Sequence, residues 1–149
     1  MINNAKKVLA PIDFSESSMK ALQAAWELVK ETDAQELHML HVVTAHHLLG
    51  IEAIPTSGRE IAREAAMIEQ AEEELSRIKK DELENSKKVI TASMVGSPAM
   101  KIADYAREHG IDLILMSTHG RTGAESVLIG GTTERVIRQA TCAVLIIRR

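Results

Sequence analysis

Aromatic side chains are nearly absent: one Phe, one Trp and one Tyr make up 2% of the 149 residues. That scarcity removes the stacking platforms on which single-stranded nucleic acid is held, and it leaves small aliphatic side chains to fill the core. Cysteine is scarcer still. Cys142 stands alone, which excludes an internal disulfide framework and any multi-thiolate metal site supplied by one chain. It reads as a small buried hydrophobe in a protein of a reducing compartment. Excess positive charge is lacking too. With 18 basic against 21 acidic residues and a net charge of −3, bulk electrostatics give no reason to expect nucleic acid or an anionic membrane as partner. No apolar run approaches the roughly 20 residues of a membrane span, and Met1 to Lys7 has neither the apolar stretch nor the cleavage site of a signal peptide. The expectation is a cytoplasmic protein and, at this length, one domain over residues 1–149. Two phosphate motifs are also missing: there is no G-x-x-x-x-G-K-[ST], and no G-x-G-x-x-G follows the first apolar run. The P-loop NTPase and standard dinucleotide readings fall with them.

What the chain does contain is an alternation of apolar runs and amphipathic stretches. Val8 to Ile12 is a short apolar run ending in Asp13-Phe14-Ser15-Glu16, where Ser15 suits a helix N-cap. Met19, Leu22, Trp26 and Val29 follow at spacings of three and four, one apolar stripe on a helix that must cover a sheet. Glu36 to Val43 supplies a second strand. Thr44 to Arg59, with Gly50, Pro55, Ser57 and Gly58 and little periodicity, reads as a long loop within the domain. Its adjacent His46 and His47 read as solvated side chains, since neighbours in sequence make a poor metal pair without further ligands. From Glu60 to about Glu84 the apolar positions Ile61, Ala65, Ile68, Ala71, Leu75 and Ile78 keep helical spacing among many charges, a long surface helix.

Lys88 to Val95 is a third strand whose alternation leaves one polar face, as an edge strand would. Gly96-Ser97-Pro98 turns it, and Ala99, Ile102, Ala103 and Ala106 make a short helix closed by Gly110. Ile111 to Met116 is solidly apolar and reads as a buried central strand. Ser117 to Thr132 is rich in glycine, Thr133 to Gln139 is helical, and Ala143 to Ile147 is a fifth strand. Strands alternating with helices predict an α/β fold: a five-stranded parallel sheet inside a three-layer α/β/α sandwich, with no internal repeat.

In open parallel sheets a ligand sits beyond the carboxyl ends of the strands, where the strand order reverses. With the order 3-2-1-4-5 that crevice lies between strands one and four. Pro11-Ile12-Asp13 leaves one of them and Met116-Ser117-Thr118-His119-Gly120 leaves the other. Gly120-Arg121-Thr122-Gly123, followed by Gly130-Gly131-Thr132-Thr133 at the start of the fourth helix, brings unhindered N–H groups to a helix N-terminus, a place that favours phosphate. Each of these residues has a plainer reading. The glycines fit an ordinary capped turn, Asp13 fits a helix cap, Arg121 fits a surface cation, and Val42 and Met116 fit core positions. His119 has no visible carboxylate partner and reads as structural, not as an acid or base.

Val8-Leu9-Ala10-Pro11-Ile12-Asp13-Phe14-Ser15-Glu16, Leu40-His41-Val42-Val43, Gly96-Ser97-Pro98-Ala99 and the stretch from Ser117 through Gly123 and Leu128 to Ile146 resemble universal stress proteins, over nearly the whole chain. The resemblance implies a Rossmann-like, adenine nucleotide alpha hydrolase-like fold and a site for ATP or AMP, with or without Mg2+. The ATP-binding branch carries G-x2-G-x9-G-[ST], which falls here on Ser117, Gly120, Gly130 and Gly131. Ser117 replaces the first glycine, and Gly131 replaces the hydroxyl residue that would contact phosphate. Thr132 or Thr133 is placed to supply that hydroxyl. By the same resemblance Asp13 would meet adenosine near the ribose, the Val42 backbone would read the adenine edge, and Met116 would line the base pocket. Pro11, Ile12, His119, Gly120, Arg121 and Gly123 complete the expected site.

Ala143 to Ile147 falls at a sheet edge in this order, although its unbroken apolar character is what an exposed edge avoids. Antiparallel pairing with the same strand of a second chain would cover both edges in a closed homodimer, and the resemblance implies the same arrangement. A local helix over the strand is the alternative. No assembled catalytic constellation is legible. Only Asp13, His119 and Thr133 offer themselves for positioning water or a metal, so the expectation is no catalysis or at most a slow ATPase. The leading reading is a regulatory, nucleotide-binding stress-response dimer acting on protein partners that the sequence does not identify. Its rival is a member of the same family that binds no nucleotide and serves as a dimeric interaction module. A flavoprotein or photolyase-like domain shares the sheet but usually carries more chain.

Overall fold

The apolar runs are buried from both sides, as parallel strands covered by helices must be. The computed structural model describes residues 2–44, 47–48, 51–52, 57–119 and 129–148. In β1 (Lys7–Pro11), Val8 and Ala10 join one core and Leu9 the other, and none of the three is exposed. β2 (Glu36–Val43) flanks β1 on one side and β6 (Leu113–Ser117) on the other, with β5 (Val89–Val95) beyond β2 and β7 (Ala143–Ile147) beyond β6. All pairs in this sheet are parallel, so the order β5-β2-β1-β6-β7 is the 3-2-1-4-5 arrangement expected from the sequence. Asp112 sets the central register. Its carboxylate accepts the N–H groups of Lys6 and Lys7 at 2.8 and 2.9 Å, and its own N–H donates to the Lys7 carbonyl.

Two helices cover each face. α1 (Glu16–Glu31) and α2 (Gly58–Glu82) bring Leu22, Trp26, Val29, Leu75 and Ile78 against Val8, Met39, Leu113 and Leu115. α3 (Pro98–Glu108) and α4 (Gly131–Gln139) bring Ile102, Tyr105 and Val136 against Leu9, Leu40, Ile114 and Met116. The Ser15 hydroxyl caps α1 by accepting the Ser18 N–H at 3.2 Å. Gly110, at φ +62°, lets the chain leave α3 through a left-handed residue without a Cβ penalty.

Several boundaries differ from the sequence reading. α2 starts earlier than its apolar stripe, because Ser57 and Glu60 form a reciprocal capping box over a polar first turn. Only its C-terminal half meets the sheet: Ala71, Leu75 and Ile78 are buried whereas Ile61 is 56% exposed. Inside the stretch expected to be loop, β3 (His47–Leu48) and β4 (Ile51–Glu52) pair antiparallel, too short for any alternation to show. α3 begins on Pro98, where a missing N–H costs nothing, and α4 begins on Gly131, a residue whose low helix propensity hid the start. Cys142, expected to be buried, is half-buried beside the edge strand, and that partial burial pushes its thiol pKa up.

One polar network lies in the core. His38 on β2 is 3% exposed, its Nδ1 2.8 Å from the Tyr105 hydroxyl and its Nε2 2.8 Å from Glu36, which also pairs with Lys7 at 3.2 Å. Tyr105 stacks on His109 with ring centroids 3.8 Å apart. Desolvation holds the His38 pKa below the ordinary histidine range, while the His38 and Lys7 contacts hold the Glu36 carboxyl low. Both ring nitrogens have partners, which is what makes a buried imidazole tolerable. Glu36 and Lys7 begin their strands, so this network sits at the opposite end of the sheet from the strands' carboxyl ends.

Candidate functional site

β1, β2 and β6 run parallel and end on one edge of the sheet, where a cleft of about 710 Å³ opens. The strand order reverses there, since β1 leads outward to β2 and β6 leads outward to β7. Pro11, Ile12 and Asp13 line the cleft from the end of β1, Val42 from β2, and Met116, Ser117 and His119 from the end of β6. Gly130, Gly131, Thr132 and Thr133 line it from the start of α4. The described residues expected at the site are thus brought to one place. Gly120, Arg121 and Gly123 lie outside the described residues.

The end of β6 is tied down carbonyl by carbonyl. The Ser117 carbonyl accepts the Thr133 hydroxyl at 3.0 Å, and the Thr118 carbonyl accepts the Gly130 N–H at 2.7 Å. The His119 carbonyl accepts two hydroxyls, Ser117 at 2.8 Å and Ser17 at 2.5 Å. Three successive acceptors are therefore engaged by donors of the protein itself, which lowers the negative potential they would present to an anion. Opposite them α4 opens without a side-chain cap, so its first N–H groups and the positive end of its dipole are available to the cleft. Gly130 is glycine for reasons of space: its backbone is ordinary, φ −62° and ψ 154°, but a Cβ would lie 3.1 Å from the Thr118 carbonyl oxygen. Around Gly131 nothing lies within 4 Å of a would-be Cβ. Of the two threonines considered for the missing hydroxyl, Thr133 is buried and its proton goes to Ser117, whereas Thr132 is exposed.

On the facing wall Asp13 is half-buried. One carboxylate oxygen accepts the Ser15 N–H at 3.0 Å, and the Asp13 N–H donates to the Ser18 hydroxyl at 3.3 Å. The residue thus braces the turn into α1 and lines the cleft at once. Phe14 follows with φ 64°, a left-handed conformation costing an aromatic residue about 1–2 kcal/mol. Its ring lies 4.4 Å from that of His41, whose Nδ1 is 2.8 Å from the Ile12 carbonyl and therefore carries the proton. Phe14, His41 and the α2 residues Met67, Gln70 and Glu74 also line the cleft and were not anticipated. His41 matches the polar side of an alternating strand but gives no further sign. The α2 wall depends on where a long connection delivers the helix, which periodicity does not encode. His119 makes a 2.9 Å contact from Nδ1 to the Thr118 hydroxyl, and its buried Nε2 has no hydrogen-bond partner among the described residues. Among the described residues no group of three or more His, Cys, Asp or Glu is placed to hold a metal ion, and no helix is long and apolar enough to cross a membrane.

A doubly wound parallel sheet with a cleft at its switch point, lined there by Gly130 and Gly131, defines an α/β domain of the Rossmann-like class. The universal stress protein family model matches residues 4–148, and this chain belongs to that family. It is 35% identical to the universal stress protein MJ0531 of Methanocaldococcus jannaschii over 99% of this chain and 84% of the relative. The solved structure of MJ0577 from the same organism is 32% identical and superimposes with a TM-score of 0.82, covering 97% of this chain and 96% of that one. A universal stress protein family structure from Arabidopsis thaliana, solved with AMP bound, shares the fold at 16% identity and a TM-score of 0.63, covering 97% and 92% of the two chains.

Proposed function

We propose that this universal stress protein holds an adenine nucleotide, ATP or AMP, in the cleft and acts as a stress-response regulator with little or no hydrolysis of its own. The observation that carries the reading is the meeting of the uncapped α4 N-terminus with a β6 end whose carbonyls are already engaged, which leaves N–H groups facing the place where a phosphate would lie. Apolar Val42 and Met116 line the cleft and would wall a base, and Asp13, which lines it too, would offer its carboxylate to a ribose hydroxyl. A volume of about 710 Å³ falls within the range of small-molecule sites, roughly 300–1,000 Å³. AMP bound to a relative of the same fold supports the choice of ligand. Mg2+ would ride on the phosphates, with Asp13 a carboxylate lining the cleft, since among the described residues no cluster of ligating side chains is built for it. Hydrolysis needs a positioned water, and among the described residues His119 has no carboxylate to orient it as a base. A thermal-shift series with AMP and ATP tests the reading: both should raise Tm in a concentration-dependent way, by about 2.7 kcal/mol of stability at a hundredfold excess over Kd. A Tm that neither nucleotide moves would refute it.

The rival reading, an interaction module without nucleotide, is favoured by the two departures from the signature, Ser117 at the first glycine and Gly131 at the hydroxyl position. The same thermal series decides between the two. For assembly, β7 ends the sheet with Val144, Leu145, Ile146 and Ile147 only half-buried, and we read it as the seam of a homodimer formed by antiparallel pairing. Sedimentation equilibrium should give twice the mass of one chain, and a monomer at micromolar concentration would contradict the pairing.

A further inference from the structure

Ser17 does not line the cleft, yet one hydrogen bond connects it to the cleft's floor. We propose that Ser17 is a positioning residue for ligand binding: its hydroxyl ties the first turn of α1 to the His119 carbonyl and holds the end of β6 in the shape against which the α4 N-terminus is set. This deepens the nucleotide reading above and rests on it.

The bond spans 102 residues of sequence and joins the β1–α1 corner to the β6 end, beside the weaker 3.5 Å contact between the Ser17 and Ser117 hydroxyls. The His119 oxygen has two lone pairs and accepts from both Ser17 and Ser117. Neither neighbouring serine can replace Ser17. The Ser15 hydroxyl caps the Ser18 N–H, and the Ser18 hydroxyl donates to the Ser15 carbonyl. Ser15 instead lies 3.4 Å from the Ser17 oxygen, close enough to orient the Ser17 proton toward His119.

The consequence reaches α4 through space. A Cβ at Gly130 would stand 3.1 Å from the Thr118 oxygen and 3.7 Å from the His119 Cα, so the Gly130 backbone is already packed on this peptide. Its N–H donates to the Thr118 oxygen at 2.7 Å. Removing one of the two donors to the His119 carbonyl loosens the backbone at His119, whose Cα and N–H belong to the Thr118–His119 peptide on which Gly130 is packed, and the Gly130 N-cap moves with it. The substitution of Ser for the first signature glycine fits the same device: the Ser117 hydroxyl is turned onto the carbonyl two residues ahead and reinforces the tie.

The test compares Ser17→Thr with Ser17→Val, which share one shape and differ in the hydroxyl, and adds Ser17→Ala. Two quantities are read: AMP affinity by calorimetry, and amide hydrogen exchange at Gly130 in ligand-free protein. Loss of the hydroxyl should weaken AMP binding roughly five-fold and speed Gly130 exchange by a similar factor, while Ser17→Thr stays within about two-fold of wild type in both. Exchange and affinity unchanged in Ser17→Val relative to Ser17→Thr would overturn the tie. Faster exchange with unchanged affinity would overturn the positioning role. Wild-type protein that binds neither AMP nor ATP would remove the nucleotide reading and the positioning role together, and Gly130 exchange would then still show whether the tie itself exists.

Discussion

Replacing Gly130 by alanine separates the demands of the fold from those of the site. The new Cβ would sit 3.1 Å from the Thr118 oxygen, where ordinary contact begins at 3.4 Å, so carbonyl and N-cap must part by about 0.3 Å. The Gly130 N–H bond to that same oxygen would lengthen from 2.7 Å to about 3.0 Å, still within hydrogen-bond range. Overpacking of this size costs about 1 kcal/mol. Because φ −62° and ψ 154° suit any residue, alanine also removes freedom from the unfolded chain, which returns roughly 0.4–1 kcal/mol. The two nearly cancel, and Tm should stay within about 3 °C of wild type. Binding has no such offset. The N-cap that presents the first α4 N–H groups is displaced toward the cleft, and AMP affinity should fall about tenfold, the equivalent of 1.4 kcal/mol. Gly131→Ala, with nothing within 4 Å of its Cβ, should leave affinity within about twofold. Thermal denaturation and calorimetry on both variants read these quantities. A Gly130→Ala protein that binds AMP as wild type does, or a Gly131→Ala protein that loses as much, would refute the reasoning.

The open space at Gly131 also predicts that Gly131→Ser tightens AMP roughly fivefold by restoring a hydroxyl to the start of α4; unchanged or weaker binding would show that the phosphate does not lie there. The His38 network predicts acid sensitivity. Desolvation makes His38 harder to protonate in the folded chain than in the unfolded one, so the unfolded chain takes the proton first, and stability is lost as pH falls below about 6.5 toward the lower folded value. Glu36, also held low, adds a loss of the same sign at more acid pH, while Lys7, Tyr105 and His109 complete the groups facing the ring. The Tm decrease between about pH 7.5 and about pH 5.5 should be larger for wild type than for His38→Gln; equal decreases would contradict the assignment.

The topology was legible because its signals are local and redundant. Val8 to Ile12 and Ile111 to Met116 are apolar on both faces, which only a covered parallel strand requires, and Ser15 and Gly110 mark helix ends by their own chemistry. The switch-point rule then places Asp13, Ser117 and Gly130 together without any contact having been seen. Other features depend on distance in the chain. Whether a hydroxyl faces a ligand or a backbone carbonyl is settled by neighbours far away in sequence, as for Thr133 on Ser117 and Ser17 on His119. The buried His38 looked like one more alternating strand residue until Tyr105 and Glu36 stood beside it. The α2 wall of the cleft depends on a connection of about a dozen residues whose path no periodicity describes.

Titration calorimetry on nucleotide-stripped protein, with AMP and with ATP plus Mg2+, tests the central claim most directly when run beside Asp13→Ala and Gly130→Val. The account predicts saturable heat for wild type, weakened in both variants, because one change removes a carboxylate lining the cleft and the other drives a branched side chain into the Thr118 carbonyl. No heat from either nucleotide at close to millimolar concentration, or equal heats in all three proteins, would contradict it.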